Sequence, residues 1–156
     1  MTSHGDDRVR LAEPGDAGVA ARLMHRFNTE FEEPIDPVGV LEPRYRSQME
    51  SDELIVLLGG EEEGFTQVRF KGQIYSDAPT AYLEELYVVP ESRRQGLGRA
   101  LLEAAMQAAR ERGADHIDLG TSEDDTEARS FYESAGFTNR EGRPQGPVML
   151  YYERDL

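Results

Sequence analysis

The stretch Arg93-Arg94-Gln95-Gly96-Leu97-Gly98-Arg99-Ala100-Leu101-Leu102 joins an apolar strand to an alanine- and leucine-rich helix through a basic turn punctuated by glycine. Upstream, Ala81-Tyr82-Leu83-Glu84-Glu85-Leu86-Tyr87-Val88-Val89-Pro90 reads as a strand ended by proline. Downstream, Leu97, Leu101, Ala104, Ala105 and Ala108 recur at helical spacing. Gly96 and Gly98 therefore stand at a helix N-terminus, where unpaired backbone N–H groups and the positive end of the helix dipole point outward. Lacking Cβ, both glycines let the oxygens of a ligand approach the chain closely. Taken alone, a Gly-x-Gly of this kind also fits an ordinary strand-to-helix connection with solvated arginines. It is neither a P-loop, which needs Gly-x-x-x-x-Gly-Lys-Ser/Thr, nor a dinucleotide fingerprint, because Leu101 occupies the third glycine position.

Composition narrows the classes of function. The 156 residues carry 31 acidic and 17 basic side chains, for a net charge of −14. So acidic a chain is expected to bind neither nucleic acid nor an anionic membrane, both of which want a basic face. Three arginines, Arg93, Arg94 and Arg99, at one glycine turn then point to an anionic ligand there. Zero cysteines exclude disulfides, thiol nucleophiles and thiolate metal sites. The three histidines, His4, His25 and His116, are scattered, with neither His-Glu-x-x-His spacing nor a Gly-x-Ser-x-Gly elbow, so no metal is expected. No run reaches the roughly 18 apolar residues of a membrane span, and Met1-Thr2-Ser3-His4-Gly5-Asp6-Asp7 lacks a signal-peptide core, so a soluble, cytoplasmic protein is expected. The expected organisation is a disordered tail over residues 1–8 and a single domain over residues 9–156.

Along the chain, Val9-Arg10-Leu11-Ala12 reads as a first strand, and Asp16 as the N-cap of a helix through Val19, Leu23, His25 and Phe27. Pro34 and Pro37 break the chain before a second helix over residues 38–49, kinked or restarted at Pro43. Leu54-Ile55-Val56-Leu57-Leu58 and Phe65-Thr66-Gln67-Val68-Arg69-Phe70 form a hairpin through the turn Gly59-Gly60-Glu61-Glu62-Glu63-Gly64. The helix after the glycine turn ends at Gly113, and Ala114-Asp115-His116-Ile117-Asp118-Leu119-Gly120 follows as a strand parallel to the one before that turn. A last helix through Ala128, Phe131, Tyr132 and Ala135 stops at Gly136, and Phe137-Thr138 and Val148-Met149-Leu150-Tyr151-Tyr152 read as final strands.

Arg93 to Gly98 match Arg-x-x-Gly-x-Gly, and Ala128-Arg129-Ser130-Phe131-Tyr132-Glu133-Ser134-Ala135-Gly136-Phe137 matches Ala-x-x-Phe-Tyr-x-x-x-Gly-Phe. Two such motifs, in this order and on these elements, resemble the signatures of the GCN5-related N-acetyltransferase (GNAT) superfamily, and the order of elements agrees across residues 9 to 153. The resemblance implies an α/β (α+β) fold. Its mixed, mostly antiparallel twisted sheet would have roughly six or seven strands, with about four helices on both faces and one parallel strand pair splayed at the coenzyme site. It also implies acetyl-CoA as cosubstrate. Leu86, Tyr87 and Val88 would pair their backbone with the pantetheine arm, and Arg93, Arg94, Gln95, Gly96, Leu97, Gly98 and Arg99 would cradle the pyrophosphate. Tyr132 matches the tyrosine that in many members protonates the departing thiolate. Asp125 replaces an asparagine often found seven residues before it, so it contacts the coenzyme, caps the helix or faces a basic substrate.

Chemistry asks for a base beside this site. An amine of pKa about 10.4 is almost wholly protonated at pH 7, which amounts to about 4.6 kcal/mol against attack on the thioester. Glu84 and Glu85, just before the pantetheine strand, are the candidates to take the proton, directly or through water. Adjacent strand residues point to opposite faces, so at most one reaches the site unless a bulge intervenes. A backbone N–H near Val88 is where the resemblance places the donor for the carbonyl oxygen. For the acceptor, Phe27-Asn28-Thr29-Glu30-Phe31-Glu32-Glu33 resembles a segment of aminoglycoside 3-N-acetyltransferases, which also share positions matching Glu85 and Asp124-Asp125. Leu83-Glu84 resembles the aminoglycoside 6′-N-acetyltransferases instead. Glu30, Phe31, Glu32, Glu33 and Asp124 are thus the expected substrate contacts for a polycationic small-molecule amine, as in antibiotic resistance. The alternatives are a lysine or N-terminal protein acetyltransferase and a non-catalytic acyl-CoA-binding module. The assembly is expected to be a monomer, or a homodimer formed through residues 148–152.

Overall fold

The computed structural model describes residues 5–156, and the chain divides into two compact units, the first ending at Asp118 and the second running from Leu119 to Leu156. Residues 1–4 of the expected tail lie outside the described residues. Within the rest of it Asp6 and Arg8 form a 2.7 Å ion pair, and Val9 donates its N–H to the Asp6 carbonyl.

The first unit is built on a five-stranded sheet in the order β1-β2-β3-β4-β5, with strands Val9–Leu11, Leu54–Gly59, Gly64–Lys71, Thr80–Val88 and His116–Asp118. The first four run antiparallel to their neighbours, and β4 and β5 are parallel, joined by a crossover helix. Five strands are fewer than the six or seven expected among the described residues. The difference lies at the end of the chain, where residues 137–138 and 148–152 form no strands. Only an isolated antiparallel bridge, Arg140 to Val148, stands there. Pro144 and Pro147 remove two N–H donors from the connecting loop, and Leu150, Tyr151 and Tyr152 are 71%, 80% and 84% exposed.

Why β2 reads as an uninterrupted apolar run is clear from what covers it. Helices α1 (Ala17–Glu30) and α2 (Val38–Glu50) pack on the side of Leu54, Val56 and Leu58, where Ala17, Ala20, Ala21 and Leu23 meet Leu41, Tyr45 and Met49. The small residues on α1 let it approach closely. Pro43 lies inside α2 and does not restart it, although the bond from residue 43 to the carbonyl of residue 39 is forfeited. Helix α3 (Leu97–Glu111) packs on β2, β3 and β4, with Leu97 against Gly59 and Leu101 against Gly64. A Cβ on Gly64 would lie 2.8 Å from the Tyr87 carbonyl oxygen and 3.1 Å from Leu101, so only glycine lets α3 seat here. Leu54–Leu58 is thus buried on both faces, the pattern of a central strand. The β4–β5 pairing covers only Thr80 to Tyr82, and β4 continues six residues further with no ladder partner on that side among the described residues. This is the splayed parallel pair.

In the second unit, α4 (Thr126–Ser134) begins at Asp125, whose Oδ1 accepts from the Ala128 N–H at 3.0 Å. It ends in a Schellman motif, with Gly136 at φ +94°, Gly136 N–H donating to the Glu133 carbonyl and Phe137 N–H to the Tyr132 carbonyl.

Candidate active site

After β4, a 3-10 turn over Pro90–Ser92 leads to Arg93 in extended backbone, then Arg94 at φ +63° and Gly96 at φ +79°, the N-cap of α3. Two left-handed residues so close together turn successive peptides outward. The backbone N–H groups of Arg94, Gln95, Gly96, Leu97 and Gly98 donate to no acceptor among the described residues. Five open donors at the positive end of a helix of 15 residues could hold phosphate oxygens. Arg94 is exposed and forms no ion pair among the described residues, so its charge could meet such an anion.

The other arginines of the turn are engaged. Arg93 donates from Nε to the Val88 carbonyl at 2.9 Å, pairs with Glu30 at 2.6 Å and lies over the Tyr87 ring. Arg99 forms a 3.2 Å ion pair with Glu103 one helical turn on. Arg8, a residue the sequence reading left aside, donates to the Gln95 carbonyl at 2.9 Å and so holds the turn from behind.

The carboxylates of β4 are brought together by a bulge. Across β3, Gln67 faces Glu85 and Val68 faces Leu83, which leaves Glu84 without an opposite residue. One extra residue re-aims the side chains on either side of it, so the condition under which both glutamates can reach one site is met. Glu84 is tied down. One oxygen accepts from Gln67 Nε2 at 2.7 Å, and Arg69 donates to both. Gln67 in turn accepts from the buried Tyr45 hydroxyl at 2.6 Å. Glu85 is half-buried and makes no hydrogen bond or ion pair among the described residues. Burial, and next the charge of Glu84, push its carboxyl up to about 7. Burial and the charges of Glu85 and Glu84 push the Tyr45 phenol well above its ordinary range, which puts all three groups in one neighbourhood. The residues Tyr45, Thr66, Gln67 and Arg69 were missed by sequence reasoning. Their signal is two consecutive polar residues, Thr66-Gln67, inside an apolar strand that faces Glu84-Glu85.

The end of α1 departs from the expected acidic pocket. Glu30 turns inward and accepts from the Tyr87 hydroxyl at 2.8 Å as well as from Arg93. Burial opposes its charge, yet these bonds leave its carboxyl below the ordinary value, and burial pushes the Tyr87 phenol up to about 12. Phe27 stacks on Tyr87 at 4.8 Å and meets Phe31 edge-on at 5.4 Å. Glu32 and Glu33 are exposed beyond the helix, so the three carboxylates do not converge. Beside them a cleft of about 510 Å³ is lined by Arg22, His25, Arg26, Thr29, Glu30 and Val38, with Arg22 paired to Glu62 and Arg26 to Glu91.

Of the residues expected in the second unit, Asp125 caps α4, and Asp124 is exposed. Tyr132 is half-buried, with Phe131 at 5.1 Å and Phe137 at 5.8 Å. No group of three or more His, Asp or Glu side chains among the described residues could hold a metal ion, and no helix there is long and apolar enough to cross a membrane.

Residues 20–137 match the model of the acetyltransferase (GNAT) family. An uncharacterised N-acetyltransferase, YhfO of Bacillus subtilis, is 31% identical over 86% of this chain and 91% of its own length. An aminoglycoside N(6′)-acetyltransferase type 1 of Stenotrophomonas maltophilia is 27% identical over 85% and 87%. A thialysine N-epsilon-acetyltransferase of Bos taurus reaches 27% over 82% of both chains. The crystal structure of a protein from Arthrobacter sp. FB24 named a “putative acetyltransferase” superimposes with a TM-score of 0.90 at 39% identity, covering 100% of both chains. Sheet topology, glycine turn and family match agree: the chain belongs to the GNAT acetyltransferase family and is an N-acetyltransferase.

Proposed function

We propose that the chain transfers the acetyl group of acetyl-CoA to a primary amine of a polycationic small molecule, such as an aminoglycoside, with Glu85 as the base. GNAT enzymes use acetyl-CoA, and the cradle at residues 94–98 suits its pyrophosphate. Arg94 and the open N–H groups of that turn bind and orient the phosphates, while the open edge of Leu86, Tyr87 and Val88 offers backbone groups to the pantetheine amides. When bound, acetyl-CoA supplies the activated acyl group. Tyr132 carries the acid role on its motif match alone.

The observation that carries the reading is the contrast between Glu84, whose two oxygens are both engaged, and Glu85, half-buried with no partner. Near pH 7 a carboxyl at about 7 is roughly half ionised, and it is a stronger base than an ordinary carboxylate. It takes a proton from the ammonium group before attack, which frees the nitrogen lone pair; the N–C bond then forms at the thioester carbonyl and the C–S bond breaks, releasing the coenzyme thiolate. The polycation is supported by the net charge of −14, by the exposed Glu32 and Glu33, and by the relative that acts on aminoglycosides.

A second reading has its own observation. Arg22 and Arg26 line the cleft, each already paired with a glutamate, Glu62 and Glu91, and their remaining guanidinium N–H groups suit the carboxylate of an amino acid or peptide, which would make the acceptor a lysine-like or N-terminal amine. Release of free thiol from acetyl-CoA, measured against aminoglycosides, polyamines, free lysine and peptides, separates the two. Turnover confined to lysine or peptides replaces the first reading by the second. Coenzyme binding with turnover of none of them leaves a non-catalytic acyl-CoA-binding module.

A further inference from the structure

We propose that Thr66 is a positioning residue for the Glu85 carboxyl, acting through the backbone of the β4 bulge; this rests on the reading of Glu85 as the base. Thr66 is wholly buried on β3, opposite Leu86, and its hydroxyl donates to the Glu85 carbonyl oxygen at 2.7 Å. A bulge breaks the regular ladder and leaves backbone groups at the break in need of other partners. Here a side chain supplies one, because the threonine hydroxyl reaches the carbonyl of the residue that carries the base. The Tyr45–Gln67–Glu84–Arg69 chain pins the preceding residue through its side chain. Backbone at residue 85 and side chain at residue 84 are both held, while the Glu85 carboxyl itself stays without a partner. That is the arrangement a proton acceptor requires: a fixed position and open lone pairs.

Thr66 carries no charge, so any influence it has on Glu85 is geometric. The ionisable groups that interact with Glu85 are Glu84 on β4 and Tyr45 on α2, while Arg69 on β3 is paired with Glu84. Moving residue 85 relative to them changes both the reach of the carboxyl and the pH at which it titrates.

The test compares Thr66→Val, which keeps shape and removes the hydroxyl, with Thr66→Ser, which keeps the hydroxyl. Titration of the Glu85 carboxyl is followed by 13C NMR, alongside kcat/KM for the amine and the Kd of coenzyme A. T66V is expected to lower kcat/KM by about tenfold with Kd within about twofold, and to move the Glu85 midpoint by about half a pH unit, while T66S stays close to the parent. In a Glu85→Gln background, T66V should add little further loss in kcat/KM. An unchanged midpoint and an unchanged kcat/KM in T66V overturn the proposal, and so does a T66S variant as impaired as T66V. Should T66V not fold, Thr66→Ala removes the same hydroxyl with less bulk and is judged by the same readouts. If the parent acetylates no amine, the reading of Glu85 as base fails, but its carboxyl titration still tells whether Thr66 positions it.

Discussion

Arg93 on the glycine turn and Glu30 at the last residue of α1 meet in a 2.6 Å ion pair across 63 positions of sequence, with Tyr87 bonded to the same carboxylate. An arginine expected to hold phosphate therefore ties the turn to α1 and β4, and the charge left open to an anion is that of Arg94. Arg93→Gln should destabilise the fold by about 1–2 kcal/mol and weaken coenzyme binding only indirectly. Glu30→Gln should cost a similar amount, and the double variant less than the sum, in chemical denaturation. Arg94→Gln, by contrast, should leave stability unchanged and weaken coenzyme A binding, read by calorimetry.

Removal of the proposed base should be severe and pH-dependent. Glu85→Gln is expected to lower kcat/KM by about 10²- to 10³-fold and to abolish the rise of rate with pH centred near 7. Glu84→Gln should act more mildly, through the bulge. A pH–rate profile of E85Q that still rises through 7 would assign the base elsewhere.

The same carboxyl affects stability with a definite sign. Its folded pKa of about 7 lies above the ordinary 4.5, so the folded state holds the proton more tightly. Its contribution is fully present below pH 4.5 and is lost as pH rises through about 7. E85Q should therefore be more stable than the parent by about 1–2 kcal/mol above pH 7, allowing for partial exposure, and this gain should vanish below pH 4.5. Thermal unfolding at pH 4 and pH 8 measures it.

Gly64 is where α3 presses on the sheet. Gly64→Ala should destabilise by about 1–3 kcal/mol, because a Cβ there meets the Tyr87 carbonyl oxygen at 2.8 Å and the helix cannot retreat without losing Leu97 and Leu101 from the core. Gly72→Ala, where nothing lies within 4 Å, is the control and should be nearly neutral in the same unfolding experiment.

Tyr132→Phe should lower kcat more than it weakens coenzyme binding if the hydroxyl donates the proton to the thiolate. Burst and steady-state kinetics with acetyl-CoA decide this, and an unchanged kcat removes the role. Asp125→Ala, in the same unit, should cost about 1 kcal/mol of helix stability through loss of its bond to the Ala128 N–H.

Most elements could be read from short stretches of chain. The apolar run at Leu54–Leu58, the stripe from Leu97 to Ala108, and the glycine stops at Gly113 and Gly136 each state a local preference that the fold obeys. The final strands could not be read this way. Residues 148–152 have strand composition, but strands need partners, and a single bridge at Val148 is all that forms. Glu30 shows the same limit from the side of charge. Beside Glu32 and Glu33 it looked like part of an acidic pocket, yet partners 57 and 63 positions away turn it inward.

By itself the sequence determined where the helices and the five strands of the sheet lie, that a basic glycine turn opens α3, and which family the two motifs resemble. These depend on periodicity, capping and glycine conformation, all of which act within a few residues. Tertiary structure alone decided which acid is free. That choice depends on how β3 and β4 are registered: the skipped residue at Glu84, the Thr66 hydroxyl on the Glu85 carbonyl, and the Tyr45–Gln67–Arg69 hold on Glu84. Two adjacent glutamates are alike in sequence, and only their different neighbours across the sheet make one an anchor and leave the other open.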